Sequence, residues 1–377
     1  MLRTRPVATP AMIATFGDAA TIADALAFET ALARAQAEEG VILRKDAAAI
    51  ASAAAACAID PARLAEEAAF AGTLAIPLVK TLRATLTGTA ASALHRGATS
   101  QDVADTVLMR QVRRATALLL ADVGRIATAL VPLARRHAET PAIGRTLLQD
   151  AQPIGFGLRM AQWHAGIAAA AARVERKVAT GATLQWGGAA GTRPDQGGAA
   201  ARVAARLAGA LGLADSPPWH ARREGVAGIA AATGILIGAM AKMARDVALL
   251  AQNAVGEARE PAVSGRGGSS AMAHKRNPTS SQIALSAAAR APGLVAGILG
   301  VLAAEEERGL GGWQAEGPML VDLFLLASGA ADAMAGVAEG LEIDEDAVSR
   351  NLAAAGQGDD VAESLILVET LLTMRND

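Results

Sequence analysis

Residues 226–259 read VAGIAAATGILIGAMAKMARDVALLAQNAVGEAR, and no proline interrupts them. Apolar side chains recur along this stretch at the period of an α-helix; they are Leu236, Met240, Met243, Val247, Leu250 and Ala254. At 1.5 Å per residue, a helix of this length would be about 50 Å long. The stretch therefore predicts one long amphipathic helix.

Two further segments carry apolar stripes. One predicts a helix with a single apolar face formed by Leu108, Val112, Ala115, Leu119, Val123, Ile126 and Leu130. The other covers residues 280–304, where Pro292 predicts a kink or a break. Because few segments alternate like strands, the sequence predicts an all-α fold built as an elongated bundle of long helices.

Proline and glycine divide the chain into three parts. Residues 1–100 predict a smaller N-terminal helical domain. Residues 101–340 predict the central bundle of long helices, and residues 341–377 a short C-terminal helical remnant. In the long helix, we expect Gly228, Gly234 and Gly238 to let a neighbouring helix approach closely.

The composition narrows the class of protein. The net charge is −2 and no basic block occurs, which argues against a nucleic acid partner. Cys57 is the only cysteine, so the chain cannot form an internal disulfide. This cysteine content is compatible with a reducing compartment. Residues 1–20 lack the apolar core of a signal peptide. We therefore expect a cytoplasmic protein.

A membrane span is the alternative interpretation of the long helix. The longest uncharged stretch holds 17 residues, from position 225 to position 241, which is the lower edge of what crosses a bilayer. It is rich in Ala and Gly rather than Leu, and its periodicity continues into charged positions. We expect a buried helix of a soluble protein and no membrane partner.

A polar run after the long helix combines glycines with hydroxyl and cationic side chains. Residues 265–278 read GRGGSSAMAHKRNP. The glycines permit φ > 0 and a close approach of the backbone to a ligand. Ser269 and Ser270 offer hydroxyls, while Lys275 and Arg276 bring positive charge, which suits an anionic substrate whose proton is moved by a hydroxyl. A flexible surface loop is the alternative.

A second polar run, HRGATSQD at residues 95–102, precedes the first apolar stripe. Thr99 and Asp102 have the spacing of a capping box, and a helix N-terminus can hold a carboxylate. Thr99 and Ser100 can cap the helix and also bind the carboxylate, whereas for Asp102 we favour a capping role alone. His95 is a candidate for hydrogen bonding or acid–base work, with a packing role as the alternative.

The run at residues 265–278 resembles the signature loop of the fumarase/aspartase superfamily, Gly-Ser-Ser-x-Met-Pro-x-Lys-x-Asn-Pro. Ala273 stands in place of the first proline, and the matching residues are Gly268, Ser269, Ser270, Met272, Lys275, Asn277 and Pro278. Residues 95–102 are similar to the superfamily's first block, His-x-Gly-x-Thr-Ser-x-Asp. The resemblance implies a bundle of long helices flanked by two smaller helical domains, of which the C-terminal one is largely missing here.

Residues 144–153, GRTLLQDAQP, resemble the second block, in which Thr and Gln contact substrate. Many lyases of the superfamily carry an acid–base histidine directly after this threonine, but this chain has Leu147, which cannot titrate. The 3-carboxymuconate cycloisomerases also lack that histidine and carry Thr-Trp-Leu-Gln, so residues 146–149 are nearer to that branch. Further segments resemble the cycloisomerases at residues 29–35, 75–80, 184–192, 218–223 and 307–316.

The resemblance implies a role for each candidate site residue. Ser269 would transfer the proton, and Ser270, His95 and Lys275 are further catalytic candidates. The substrate would be bound by Thr99, Ser100, Thr146, Gln149, Arg223 and Asn277. The guanidinium fork of Arg223 matches carboxylate geometry. Neither a metal nor an organic cofactor is expected.

The resemblance also implies the activity. A cycloisomerase of this branch lactonises the small tricarboxylate 3-carboxy-cis,cis-muconate to 4-carboxymuconolactone through an enediolate, in protocatechuate catabolism. We expect a homotetramer whose active sites are shared between subunits. Another lyase of the superfamily, such as an adenylosuccinate-type lyase, and a non-catalytic helical scaffold are the alternatives.

Overall fold

The computed structural model describes residues 3–268, 272 and 275–374. Fourteen α-helices lie in this part of the chain: α1 (Pro10–Thr15), α2 (Asp18–Glu38), α3 (Arg44–Ala56), α4 (Pro61–Ala71), α5 (Ala75–Arg83), α6 (Gly88–Ala93), α7 (Ser100–Arg136), α8 (Phe156–Gly181), α9 (Ala200–Leu211), α10 (Glu224–Leu250), α11 (Thr279–Gly300), α12 (Gly312–Gly340), α13 (Glu345–Ala354) and α14 (Ala362–Thr373). The predicted all-α fold class is confirmed.

Two small antiparallel sheets complete the described secondary structure. Strand β1 (Pro141–Thr146) pairs with β2 (Gln149–Gly155), and β3 (Ala258–Arg259) pairs with β4 (Glu342–Ile343). A short 3₁₀ helix covers Arg5–Val7. The first sheet is a hairpin between α7 and α8, and it carries the second sequence block.

Helices α7, α8, α10, α11 and α12 pack against one another and form the central bundle. All seven residues of the first apolar stripe are buried in α7. Close packing is visible at Gly234 of α10, where an added Cβ would lie 2.9 Å from Cγ2 of Val295 in α11. An added Cβ would lie 3.4 Å from Cδ of Lys177 at Gly228, an ordinary contact, and would meet no described atom within 4 Å at Gly238. The predicted close approach therefore holds at Gly234 and, within one chain, was wrong at Gly238.

The long helix α10 is shorter than its proline-free sequence predicted. It ends at Leu250, because Gly256 adopts φ 65° and the chain reverses there, with the Glu257 N–H donating to the Leu250 carbonyl at 3.0 Å. Its 27 residues give a length of about 40 Å. Helix α11 runs through Pro292, so the proline does not break it.

Five helical stretches of the described chain are long and apolar enough to cross a membrane, by length and composition only. They are Pro10–Glu38, Ser100–Arg136, Glu224–Leu250, Thr279–Gly300 and Gly312–Gly340. The most apolar windows of α10 and α12 are 61% and 72% buried by the rest of the subunit, whereas those of α7 and α11 are 28% and 22% buried. A single subunit therefore leaves large apolar helix faces uncovered.

Candidate active site

The first sequence block is organised by the buried carboxylate of Asp102. Its Oδ2 accepts hydrogen bonds from the backbone N–H groups of Thr99 and Gly188, each at 2.9 Å. Its Oδ1 accepts from the N–H of Gly187 at 2.9 Å and lies 2.7 Å from Nε2 of His220. The predicted capping interpretation of Asp102 is confirmed, and the same carboxylate joins the start of α7 to two distant loops.

His95 lies in this block with its backbone in the left-handed region, at φ 63°. Its Nδ1 lies 2.6 Å from Oε1 of Glu29 in α2, whose side chain is fully buried. Burial lowers the pKa of His95, but the negative charges of Glu29 and, more weakly, Asp102 outweigh burial and raise it overall. The imidazolium therefore persists to higher pH than in an unperturbed histidine.

Arg308 reaches the first block from the segment between α11 and α12. Its Nη1 donates a hydrogen bond to Oγ1 of Thr99, and the residue is exposed. Ser100 follows as the first residue of α7 and is half-buried. The sequence offered one indication of a role for Arg308, because it lies in a segment that resembles the cycloisomerases. That resemblance alone did not make Arg308 a site candidate.

The structure corrects the role predicted for Arg223. This side chain binds carboxylates, but they belong to the protein: Nη1 and Nη2 donate to Asp105 at 2.7 and 2.9 Å, and Nε and Nη2 donate to Glu316 at 2.9 and 2.7 Å. Arg223 is only 2% exposed. Its guanidinium is therefore committed to the junction between the starts of α7, α10 and α12, and is not open to a substrate carboxylate.

The charged groups of this junction shift one another's pKa values. Burial raises the pKa of the Glu316 carboxyl, and the nearby Asp105 charge adds to that effect, whereas Arg223 opposes it. The two carboxylates in turn overcome the burial of Arg223 and raise the pKa of its guanidinium. Oε1 of Glu316 is buried and has no hydrogen-bond partner among the described residues.

The second block forms the tip of the β1–β2 hairpin. Thr146 pairs with Gln149, and both residues are exposed. Leu147 and Leu148 form the turn at φ 53° and 64°, a conformation that costs a non-glycine residue about 1–3 kcal/mol. Their side chains are 96% and 75% exposed, so the hairpin presents two apolar residues beside the two predicted substrate ligands.

The third block is the signature loop at residues 265–278. Several of its described residues line a cavity of about 330 Å³, and they include Lys275 and Asn277. Lys275 is exposed, and the Asn277 N–H donates to the Gly267 carbonyl at 2.8 Å, closing the loop at its base. Ser269 and Ser270 lie outside the described residues. The structure thus positions Lys275 and Asn277 beside this cavity, and the roles of the two serines stay predictions.

The three blocks occupy two ends of the bundle. At one end, Arg223 precedes α10 and ties it to the first block through Asp105. At the other end, Arg145 of the hairpin binds Glu257 with Nη2–Oε1 at 2.6 Å, and Arg276 of the signature loop binds Glu342 at 2.9 Å. Since α10 is about 40 Å long, one chain does not bring the first block to the other two.

Several described residues in or beside these blocks offer hydrogen-bond donors or positive charge to a ligand. The described part of the chain holds no group of three or more His, Cys, Asp or Glu residues that could bind a metal ion. His95, Arg308, Lys275 and Asn277 suit carboxylates, and such donors can stabilise negative charge that develops on a substrate. The expectation that no cofactor is used stays a prediction.

The sequence and the fold were compared with known proteins. The profile of a family described as lyase matches residues 4–293. The chain is 44% identical to a 3-carboxy-cis,cis-muconate cycloisomerase of Pseudomonas aeruginosa, across 90% of this chain and 75% of the relative. It is 40% identical to a nitrosuccinate lyase of Streptomyces davaonensis, across 95% of this chain and 78% of the relative.

A solved structure shows the same fold. The 3-carboxy-cis,cis-muconate lactonizing enzyme from Pseudomonas putida superimposes with a TM-score of 0.85 at 38% identity, covering 98% of this chain and 86% of that one. The family profile, the relatives and the fold therefore agree over most of the chain. The chain belongs to this lyase family of the fumarase/aspartase superfamily.

Proposed function

We propose that this chain converts 3-carboxy-cis,cis-muconate to 4-carboxymuconolactone, a step in protocatechuate catabolism. The observation that carries the proposal is the 44% identity to a cycloisomerase over 90% of the chain, a span long enough to include all three blocks. Leu147 at the exposed hairpin tip supports it, because an enzyme that relied on a histidine there would have lost its acid–base group.

The proposed reaction is balanced by the substrate and solvent alone. One carboxylate oxygen of the substrate bonds to a carbon of the diene, and the electron pair of that double bond moves onto the next carbon and into its carboxylate, forming an enediolate. A proton from Ser269 then forms the new C–H bond. Ser269 regains its proton from solvent, so one proton is taken up per turnover and no cofactor is needed.

The remaining candidates hold three carboxylates and stabilise the enediolate. Lys275 and Asn277 would bind from the signature loop, and Thr146 and Gln149 from the hairpin. Thr99 and Ser100 would bind at the start of α7, where free N–H groups favour an anion. We assign to Arg308 the carboxylate-binding role first predicted for Arg223, because its exposed guanidinium already meets Thr99.

The site is composite in this proposal, and the protein is a homotetramer. The 40 Å length of α10 separates the first block from the other two within one chain, so a second copy must supply the missing block. The weakly buried apolar windows of α7 and α11 would be covered by neighbouring subunits rather than by lipid. On this account the protein is soluble and cytoplasmic, with neither a membrane nor a nucleic acid as partner.

Mixing two inactive variants should restore part of the activity. We expect His95→Gln and Ser269→Ala tetramers to be nearly inactive alone. They should recover activity after subunits exchange, because the two changes lie in blocks that different subunits supply, so some mixed sites then contain neither change. Initial rates before and after reversible dissociation of the mixture measure the effect. A mixture of Ser269→Ala with itself is the control. A fully active monomer by light scattering would contradict the composite site.

A second candidate activity is elimination from nitrosuccinate, since a nitrosuccinate lyase is 40% identical to the chain. Proton NMR of the reaction in D₂O separates the two candidates. We expect the lactone from 3-carboxy-cis,cis-muconate to carry one deuterium on the carbon that was protonated, and nitrosuccinate to stay unchanged. Formation of fumarate from nitrosuccinate, with 3-carboxymuconate unchanged, would replace the proposal with the second candidate.

A further inference from the structure

A buried ion pair lies behind the first block, at Glu29 and His95. Glu29 is 1% exposed in α2, and its Oε1 lies 2.6 Å from Nδ1 of His95. Its Oε2 is buried without a hydrogen-bond partner among the described residues. Removing a carboxylate from water costs several kcal/mol unless a partner compensates it. The histidine is the described partner that offsets this cost.

The charges around His95 come from three helices. Glu29 of α2 bonds to it directly, Asp102 of α7 acts from a distance, and Arg83 of α5 opposes them with its positive charge. Asp102 already accepts three backbone N–H groups and faces His220. Glu29 is therefore the carboxylate that bonds to the imidazole of His95.

The contact leaves one nitrogen of His95 for a ligand. With Nδ1 committed to Glu29, Nε2 lies on the opposite edge of the ring and makes no hydrogen bond to another described residue. The side chain is 17% exposed, so the ring is not sealed in the core. His95 lies four residues before Thr99 in the first block, and the Thr99 hydroxyl accepts a hydrogen bond from Arg308 at the start of α7.

We propose that Glu29 is a positioning residue that holds Nδ1–H of His95 and makes Nε2–H the donor to an anionic substrate atom. A carboxylate bonded to one imidazole nitrogen fixes the tautomer and the ring orientation, and it stabilises the imidazolium. This inference rests on the proposed function, in which His95 belongs to the substrate site. It assigns a role in the same reaction to a residue that lies outside all three blocks in sequence but contacts the first block in space.

Glu29→Gln tests the charge without changing the shape of the side chain. We expect kcat/KM to fall by roughly tenfold or more, part of what a positioned acid contributes. The alkaline limb of the pH–rate profile should move to lower pH, because the neutral amide no longer stabilises the imidazolium. Glu29→Asp should restore part of the kcat/KM and move the alkaline limb part of the way back. An unchanged alkaline limb in a folded Glu29→Gln variant would mean that Glu29 is merely structural.

The titration of His95 itself gives a readout that needs no substrate. NMR of protein labelled at its five histidines, with His95→Gln to assign the signal, measures the pKa in the wild type and in Glu29→Gln. We expect a lower pKa of His95 in Glu29→Gln. An equal pKa in both would overturn the inference. A lowered pKa in a protein inactive on 3-carboxymuconate would support the pairing of Glu29 with His95 and overturn the proposed function instead.

Discussion

Ser269→Ala is expected to lower kcat by at least about 100-fold, the scale of losing a positioned proton donor. The change removes the hydroxyl that would deliver a proton to the enediolate carbon, and it leaves Lys275 and Asn277 of the same loop to bind carboxylates. KM should therefore change much less than kcat. Initial rates of diene loss over a range of substrate concentrations separate the two parameters.

The adjacent serine provides the matched control. Ser270→Ala should keep a kcat within about tenfold of wild type, because that hydroxyl would bind or orient rather than transfer the proton. Full turnover in Ser269→Ala together with inactivity in Ser270→Ala would move the proton-transfer role to the second serine. Both variants should unfold at the wild-type temperature, so a loss of rate would not reflect a loss of fold.

Arg223→Met is expected to lower the free energy of unfolding by about 3–5 kcal/mol, the usual cost of breaking a buried ion pair on one side. The substitution leaves Asp105 and Glu316 as buried carboxylates without their cation. Burial already raises the pKa of the Glu316 carboxyl, and without the opposing Arg223 charge this pKa would lie further above its unfolded value. The variant should therefore recover stability, relative to wild type, as the pH falls. Urea unfolding at neutral and acidic pH measures both effects.

The neighbouring arginine is a control of the same size and charge. Arg222 is exposed, and its nearest carboxylate, on Glu224, lies 3.7 Å away. Exposed pairs contribute about 0–1 kcal/mol, so Arg222→Met should stay near the wild-type stability. Equal stability of the two variants would show that the junction of Arg223, Asp105 and Glu316 does not hold the starts of α7, α10 and α12 together.

The sequence predicted the bundle well because apolar periodicity reports directly on which helix face is buried. All seven stripe residues of α7 lie in the core. The end of α10 was missed because Gln252, Asn253 and Ala254 continue a helix-compatible pattern, and the turn depends on Gly256 with its positive φ. The β hairpin was also missed, since its turn is made by two leucines rather than by the Asn-Gly pair that usually marks one.

The candidate site was predicted less completely, because its key contacts join residues far apart in sequence. Nothing in local spacing pairs His95 with Glu29, which lies 66 positions away, or Thr99 with Arg308, 209 positions away. Arg223 was assigned to substrate because its chemistry suits any carboxylate. Which carboxylate it binds is decided by the packing of α7 against α12, which a single sequence does not reveal.

Ultraviolet absorbance shows whether this chain acts on 3-carboxy-cis,cis-muconate. Purified protein would be given 3-carboxymuconate, adenylosuccinate and fumarate in parallel, with Ser269→Ala as the control for each. We expect the conjugated diene absorbance to fall with 3-carboxymuconate, at least about 100-fold faster in wild type than in Ser269→Ala, and to stay unchanged with the other two compounds. Turnover of adenylosuccinate, or constant absorbance with all three compounds, would contradict the proposed function.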